Sequence, residues 1–316
     1  MRQLQTLTII TPCFNEELTI RECVLEVRRV MEKLCPSVVY EHLIVDNASL
    51  DNTVGVLEDL AQTDKRVKVI VNSRNVGASR SMLNALKFSK SQACIPFLPS
   101  DLQDPPSLIP EMVKQWEGGF NRVYGIRQNR LESRFLRKAR SAYYQLLSKF
   151  ASADIPQNVG EFQLLDEVVI RQLSKVDDHY PFVRGLIAMT GAKSVGIKYD
   201  MQTRKAGDSK TNLFHLLDLG MNGLLSTSKV PARIIFVFGA MTSLLSITYT
   251  IFALLFALVD GSGAGPGINT LVVGLFFFSG VQLISIALVG EYVTAIHSQV
   301  RRGPAMFIER QINLSD

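Results

Sequence analysis

The sequence predicts an α/β protein built on a doubly wound, mostly parallel sheet, followed by a membrane-embedded C-terminal part. Three observations lead there. Short apolar, β-rich runs alternate with helical spacing about four times in the first third of the chain, the rhythm of βα units. Each run ends in a polar or acidic turn, which gathers the turn chemistry on one edge of the sheet. Beyond residue 233, two uncharged stretches are each long enough to cross a bilayer.

Bulk properties agree. The 316 residues have room for one large domain or two modest ones. Hydrophobic residues make up 47% and mean hydropathy is +0.16, with the apolar excess late in the chain. The net charge of +5 suits an anionic lipid surface or a phosphorylated substrate. No aromatic-studded basic tract is present, so nucleic acid is not expected as a partner. Cys13, Cys23, Cys35 and Cys94 form no CxxC pair and read as reduced thiols of a cytosolic domain. The opening MRQLQTLTIITP moves straight into a strand, without the apolar region of a signal peptide.

The elements follow in order. Residues 7–11 (LTIIT) form a first strand that ends at Pro12-Cys13-Phe14-Asn15-Glu16-Glu17. Ile20, Val24, Val27, Val30 and Leu34 then repeat at helical spacing. Residues 41–45 (EHLIV) form a second strand, ending at Asp46-Asn47-Ala48-Ser49, and a helix follows over 53–61. A third strand over 67–71 leads through 72–77 into a helix reaching Ser89. Neither GxGxxG nor GxxxxGK[ST] follows the first strand, which excludes the dinucleotide fingerprint and the P-loop. Nucleotide binding through acidic turns and a metal is the better reading.

The central stretch is 98–106, LPSDLQDPP, after the apolar run 93–98. Asp101, Gln103 and Asp104 stand at the C-terminal end of a strand, where open α/β sheets bind ligands. Oxygen ligands there suit a hard divalent cation holding a diphosphate. Asp104 is expected to cap the next helix, with Pro105 in its first position. Arg127, Arg130, Arg134, Arg137 and Arg140 lie in the arginine-dense 125–144. Some belong to a solvated helix face, but arginine also suits forked recognition of phosphate. Glu161 sits between Gly160 and Phe162, and 204–211 (RKAGDSKT) reads as a cationic loop.

Residues 212–229 have the apolar spacing of a helix lying at a membrane interface. Residues 234–259 and 261–290 carry no charge and are read as two spans. Arg233 before the first span, and Arg301-Arg302 after the second, place both ends in the cytoplasm and the loop 260–269 outside. Glu291 falls at the cytoplasmic end of the second span.

Taken in order, TPCFNEE, VDNASLDNT, NVGASRSMLNAL, DLQDPP, GIRQNR, the GEF turn, RGL, RKAGDSK, two spans and the GEY end resemble the polyprenyl-phosphate glycosyltransferases. These are membrane-anchored family-2 glycosyltransferases of GT-A fold, including dolichyl-phosphate mannose synthase and the bacterial undecaprenyl-phosphate sugar transferases. The resemblance spans nearly the whole chain and is closest to the bacterial branch. It implies a GT-A catalytic domain over 1–211, an interface helix over 212–232, a two-helix hairpin over 233–297 and a cytoplasmic tail over 298–316. The implied setting is the bacterial inner membrane, with both termini cytoplasmic and a homo-oligomeric assembly.

The implied activity is inverting transfer of one sugar from a nucleotide-sugar, with UDP-sugars favoured, to polyprenyl phosphate at the membrane lipid. Matched residue by residue, Pro12, Asn15, Glu16 and Asp46 hold the nucleoside. Asp101 and Gln103 coordinate Mg²⁺ or Mn²⁺ at the diphosphate, and Arg127 lies near the phosphates. Arg137, Ser141, Arg204 and Lys210 grip the lipid phosphate. Glu161 matches a family aspartate and takes an orienting role. The family's DADLQDPP, DDGS and GDF become PSDLQDPP, DNAS and GEF here. The alternative is a silent homologue that binds donor or lipid carrier and regulates a partner.

Overall fold

The computed structural model describes residues 2–128, 156, 159–178, 181–202, scattered positions between 237 and 248, 267–300 and 306–314. The chain divides into two compact units, Met1–Gly223 with Arg302–Asp316, and Leu224–Arg301.

The first unit is organised by an eight-stranded sheet: β1 (Thr6–Cys13), β2 (Val39–Asp46), β3 (Val67–Asn72), β4 (Ala93–Ile95), β5 (Arg122–Arg127), β6 (Val159–Asp166), β7 (Ser194–Tyr199) and β8 (Ile308–Ile312). Their spatial order is β7-β5-β6-β4-β1-β2-β3-β8. The central four, β4-β1-β2-β3, are parallel, as the sequence predicts. The antiparallel β6 follows them, and β8 pairs antiparallel with β3. The expected strand over 93–98 is only three residues long, because Pro96 has no N–H to offer a ladder.

Helices α1 (Ile20–Leu34), α2 (Thr53–Thr63), α3 (Ala78–Leu86), α4 (Ile109–Glu117), α5 (Glu167–Leu173) and α6 (Val183–Met189) cover both faces. Alternation along the strands divides the core between them. Ile9 joins α1 and α4 on one face, while its neighbour Ile10 joins α3, α5 and α6 on the other. Ile20, Cys23, Val24, Val27, Val30 and Met31 form the buried stripe of α1. Each large aliphatic side chain so buried contributes about 1.5–3 kcal/mol, which outweighs the helix's modest propensity.

The segment 298–316, expected as a cytoplasmic tail, contains the edge strand β8. Asn313 also donates to the carbonyls of Ala61 and Val67 at 2.7 and 2.9 Å. Its strand IERQI escapes a sequence reading because its side chains are mostly half-buried or exposed.

In the second unit, α7 (Ile268–Val300) is 33 residues long. Among the described residues it is the one helix long and apolar enough to cross a membrane. At 1.5 Å per residue it measures about 50 Å, longer than a hydrocarbon core. Leu271, Leu283, Ile284 and Val289 are exposed on it. The interface helix and most of the first span lie outside the described residues.

Candidate active site

In the central sheet β1 is flanked by β2 on one side and β4 on the other, so the strand order reverses between β1 and β4. Ligands of open α/β sheets bind in the crevice at such a switch point, outside the carboxyl ends of the strands. The loops after β1 and β4 therefore frame the site. The backbone is strained there. Asn15 after β1, Ala48 after β2 and Leu102 after β4 all have left-handed φ, at 53°, 59° and 57°. Gly77, after β3, reaches 84°. Left-handed geometry costs an ordinary L-residue about 1–2 kcal/mol, and strain of this kind collects at functional sites.

The β1 and β2 loops are laced together by hydrogen bonds. The Asn15 amide donates to Ser49 Oγ at 2.9 Å, and Asn15 Oδ1 accepts from the Leu50 amide at 2.7 Å. The Glu16 amide donates to Thr53 Oγ1, and the Glu16 carboxylate accepts from Thr19 Oγ1 at 2.6 Å. Asp46 is fully buried and closes its own turn, accepting from the Ser49 amide at 2.9 Å and from Ser49 Oγ. Behind it, Asn47 Oδ1 accepts from both Asn72 and Ser81. Burial first, then the neighbouring Asp46 carboxylate, push the Cys13 thiol well up, which keeps it protonated.

The loop after β4 is anchored by its apolar residue. Leu102, 5% exposed, plugs the core cluster under α1 and α4. Asp101 and Gln103 flank it, with Asp101 Oδ1 accepting from the Gln103 amide at 3.1 Å. Asp104 departs from expectation. It does not cap the helix: the N-cap position is Pro105, ahead of a 3-10 turn at Pro106–Leu108, with no side-chain capping bond. Instead Asp104 is fully buried and receives Arg127 in a forked pair, Nη2 at 2.5 Å and Nε at 3.1 Å. The Tyr199 hydroxyl also donates to Asp104, and Arg127 Nε reaches the Tyr199 oxygen at 3.1 Å. A forked, desolvated ion pair satisfies this carboxylate far better than a cap. Burial, then the Asp104 carboxylate, raise the Tyr199 phenol above its ordinary range.

The sequence model of glycosyl transferase family 2 matches residues 8–173, from β1 through the loops just described to the end of α5. The chain belongs to glycosyl transferase family 2. Relatives extend the match along the whole length of this glycosyltransferase. The Bacillus subtilis glycosyltransferase YkcC is 31% identical over 98% of this chain and 95% of its own. A Synechocystis glycosyltransferase, sll0501, is 30% identical over 96% and 94%. The SfII prophage-derived bactoprenol glucosyl transferase of Shigella flexneri is 30% identical over 96% and 97%.

Of the residues singled out in the sequence, the fold of this glycosyltransferase brings Pro12, Asn15, Glu16, Asp46, Asp101 and Gln103 to one sheet edge. The β4–β6 register, Ala93 to Asp166 and Cys94 to Leu165, carries the start of β6 with Glu161 past the end of β4 to the same edge. Glu161 is half-buried and, by alternation, on the opposite strand face from Gly160 and Phe162. Arg137, Ser141, Arg204 and Lys210 lie outside the described residues. Tyr199 was missed by sequence reading. Its only trace is glycine: a Cβ at Gly125 would meet the Tyr199 ring at 2.5 Å, and one at Gly160 the Arg127 guanidinium at 2.8 Å.

Proposed function

We propose that this family-2 glycosyltransferase moves one sugar, with inversion, from a nucleotide-sugar to polyprenyl phosphate, UDP-sugars and undecaprenyl phosphate being favoured. The observation that carries the reading is the extent of the likeness. A relative named for bactoprenol glucosyl transfer aligns over 96% of this chain, through the site loops and the apolar C-terminal part alike.

Chain topology supports a membrane hairpin over 233–297. The segment leaves the catalytic unit and returns to it as β8, in the same sheet as β1. A chain that leaves and re-enters on one side crosses a bilayer an even number of times. With α7 as one crossing, the uncharged residues 234–259 supply the other. Both termini and the catalytic unit then face the cytoplasm, where the flanking arginines place them. A homo-oligomer is part of the same reading.

In the site, Pro12, Asn15 and Glu16 hold the nucleoside, on a loop whose shape Asp46 fixes through Ser49. Asp101 and Gln103 offer oxygen donors only, and among the described residues no cluster of three His, Cys, Asp or Glu side chains forms a complete metal site. That donor set fits Mg²⁺ or Mn²⁺ sharing its remaining ligands with the diphosphate and water. Such a cation, when bound, neutralises charge on the departing diphosphate.

The acceptor needs little activation. A phosphate monoester has a second pKa of about 6 and is largely ionised at neutral pH. Its oxygen attacks the anomeric carbon from the side opposite the diphosphate. The new C–O bond forms as the old one breaks, and the configuration inverts. The protein's work is positioning and charge stabilisation. Glu161 orients the sugar, while Arg137, Ser141, Arg204 and Lys210 grip the lipid phosphate.

Membranes carrying the full chain, given undecaprenyl phosphate and a panel of UDP- and GDP-sugars, are expected to yield lipid heavier by one sugar residue. No product with any donor would overturn the reading in favour of a silent carrier-binding homologue.

A further inference from the structure

We infer that Tyr199, acting with Asp104 and Arg127, is a positioning residue that sets the acidic loop against the two chain segments leading to the lipid-phosphate residues. The inference rests on the function proposed above. Three segments converge on this buried cluster. Asp104 ends the loop carrying Asp101 and Gln103. Arg127 ends β5, and the arginine-dense 130–140 follows it in sequence. Tyr199 ends β7, five residues before Arg204.

Main-chain bonds repeat the same connections. The Gln202 amide donates to the Gln103 carbonyl at 3.0 Å, and the Gln128 amide donates to the Tyr199 carbonyl at 2.8 Å. The donor-side loop and the roots of both acceptor-side segments are thus fastened to one carboxylate. Phe162 closes the cluster edge-on to the Tyr199 ring, at 6.5 Å between centroids. Arg127, with its guanidinium committed to Asp104 and Tyr199, acts through the loop rather than by gripping phosphate itself.

A linchpin of this kind affects turnover more than affinity, because small misplacements of reacting groups slow chemistry steeply. Tyr199→Phe removes one hydroxyl and keeps the ring that fills the space over Gly125. Gly160→Ala is the second variant, moving the Arg127 guanidinium without altering any side chain of the cluster. Both are assayed as full chains in membranes, with undecaprenyl phosphate and the donor that gives product with the unmodified chain.

The expected result for each is a kcat per folded enzyme lower by about tenfold, with KM for both substrates within about twofold and the chain still folded at the assay temperature. If kcat stays within about twofold for both variants, or falls only in proportion to unfolded protein, the cluster is merely structural and the inference is overturned. No product from the unmodified chain would instead overturn the proposed reaction.

Discussion

The two sides of the site crevice are built by different means. On the β1–β2 side, the loops are held by many modest hydrogen bonds between main chain and the side chains of Asn15, Ser49 and Thr53. On the β4–β6 side, one desolvated carboxylate, Asp104, carries the connections to Arg127 and Tyr199. The first construction is redundant and tolerates the loss of a single bond. The second concentrates its order in one ion pair, which is costly to break because the surviving charge stays buried.

The strongest way to break this contrast is Asp104→Ala, which leaves Arg127 with 19% side-chain exposure and no carboxylate. A loss of about 3–5 kcal/mol is expected in denaturant unfolding. Asp101→Ala, three residues away, sharpens it: turnover should fall by about a hundredfold or more while the melting temperature barely moves. Equal loss of stability in both variants would erase the distinction. On the redundant side, Asn15→Ala removes the acceptor for the Leu50 amide and is expected to cost about 1 kcal/mol. The smallest change is Ala48→Gly, at φ 59°. It should stabilise the chain by roughly 1 kcal/mol, read as a raised melting temperature, because glycine carries no left-handed penalty.

The contrast also shows what a sequence reveals. The β1–β2 side is legible because apolar strands and polar turns alternate locally, and its bonds join residues within about forty positions of one another. The β4–β6 side is not. Asp104 followed by two prolines reads as a helix cap, and nothing local reveals that its partners stand 23 and 95 residues away. Edge strand β8 hides for a similar reason, since a partly covered strand of IERQI carries too little apolar alternation to announce itself. A long apolar helix near the C-terminus is legible in the uncharged run 261–290, but α7 begins seven residues into it and continues ten residues past it, through Glu291, where local hydropathy gives no signal.

The returning strand β8 bears on how this enzyme is handled. A shortened version ending before the apolar helices would strip β3 of its neighbour and bare the backbone of Val69 and Val71. Naked strand margins of that kind invite other chains to stick. A catalytic fragment without the apolar helices therefore calls for residues 306–314 to be grafted back.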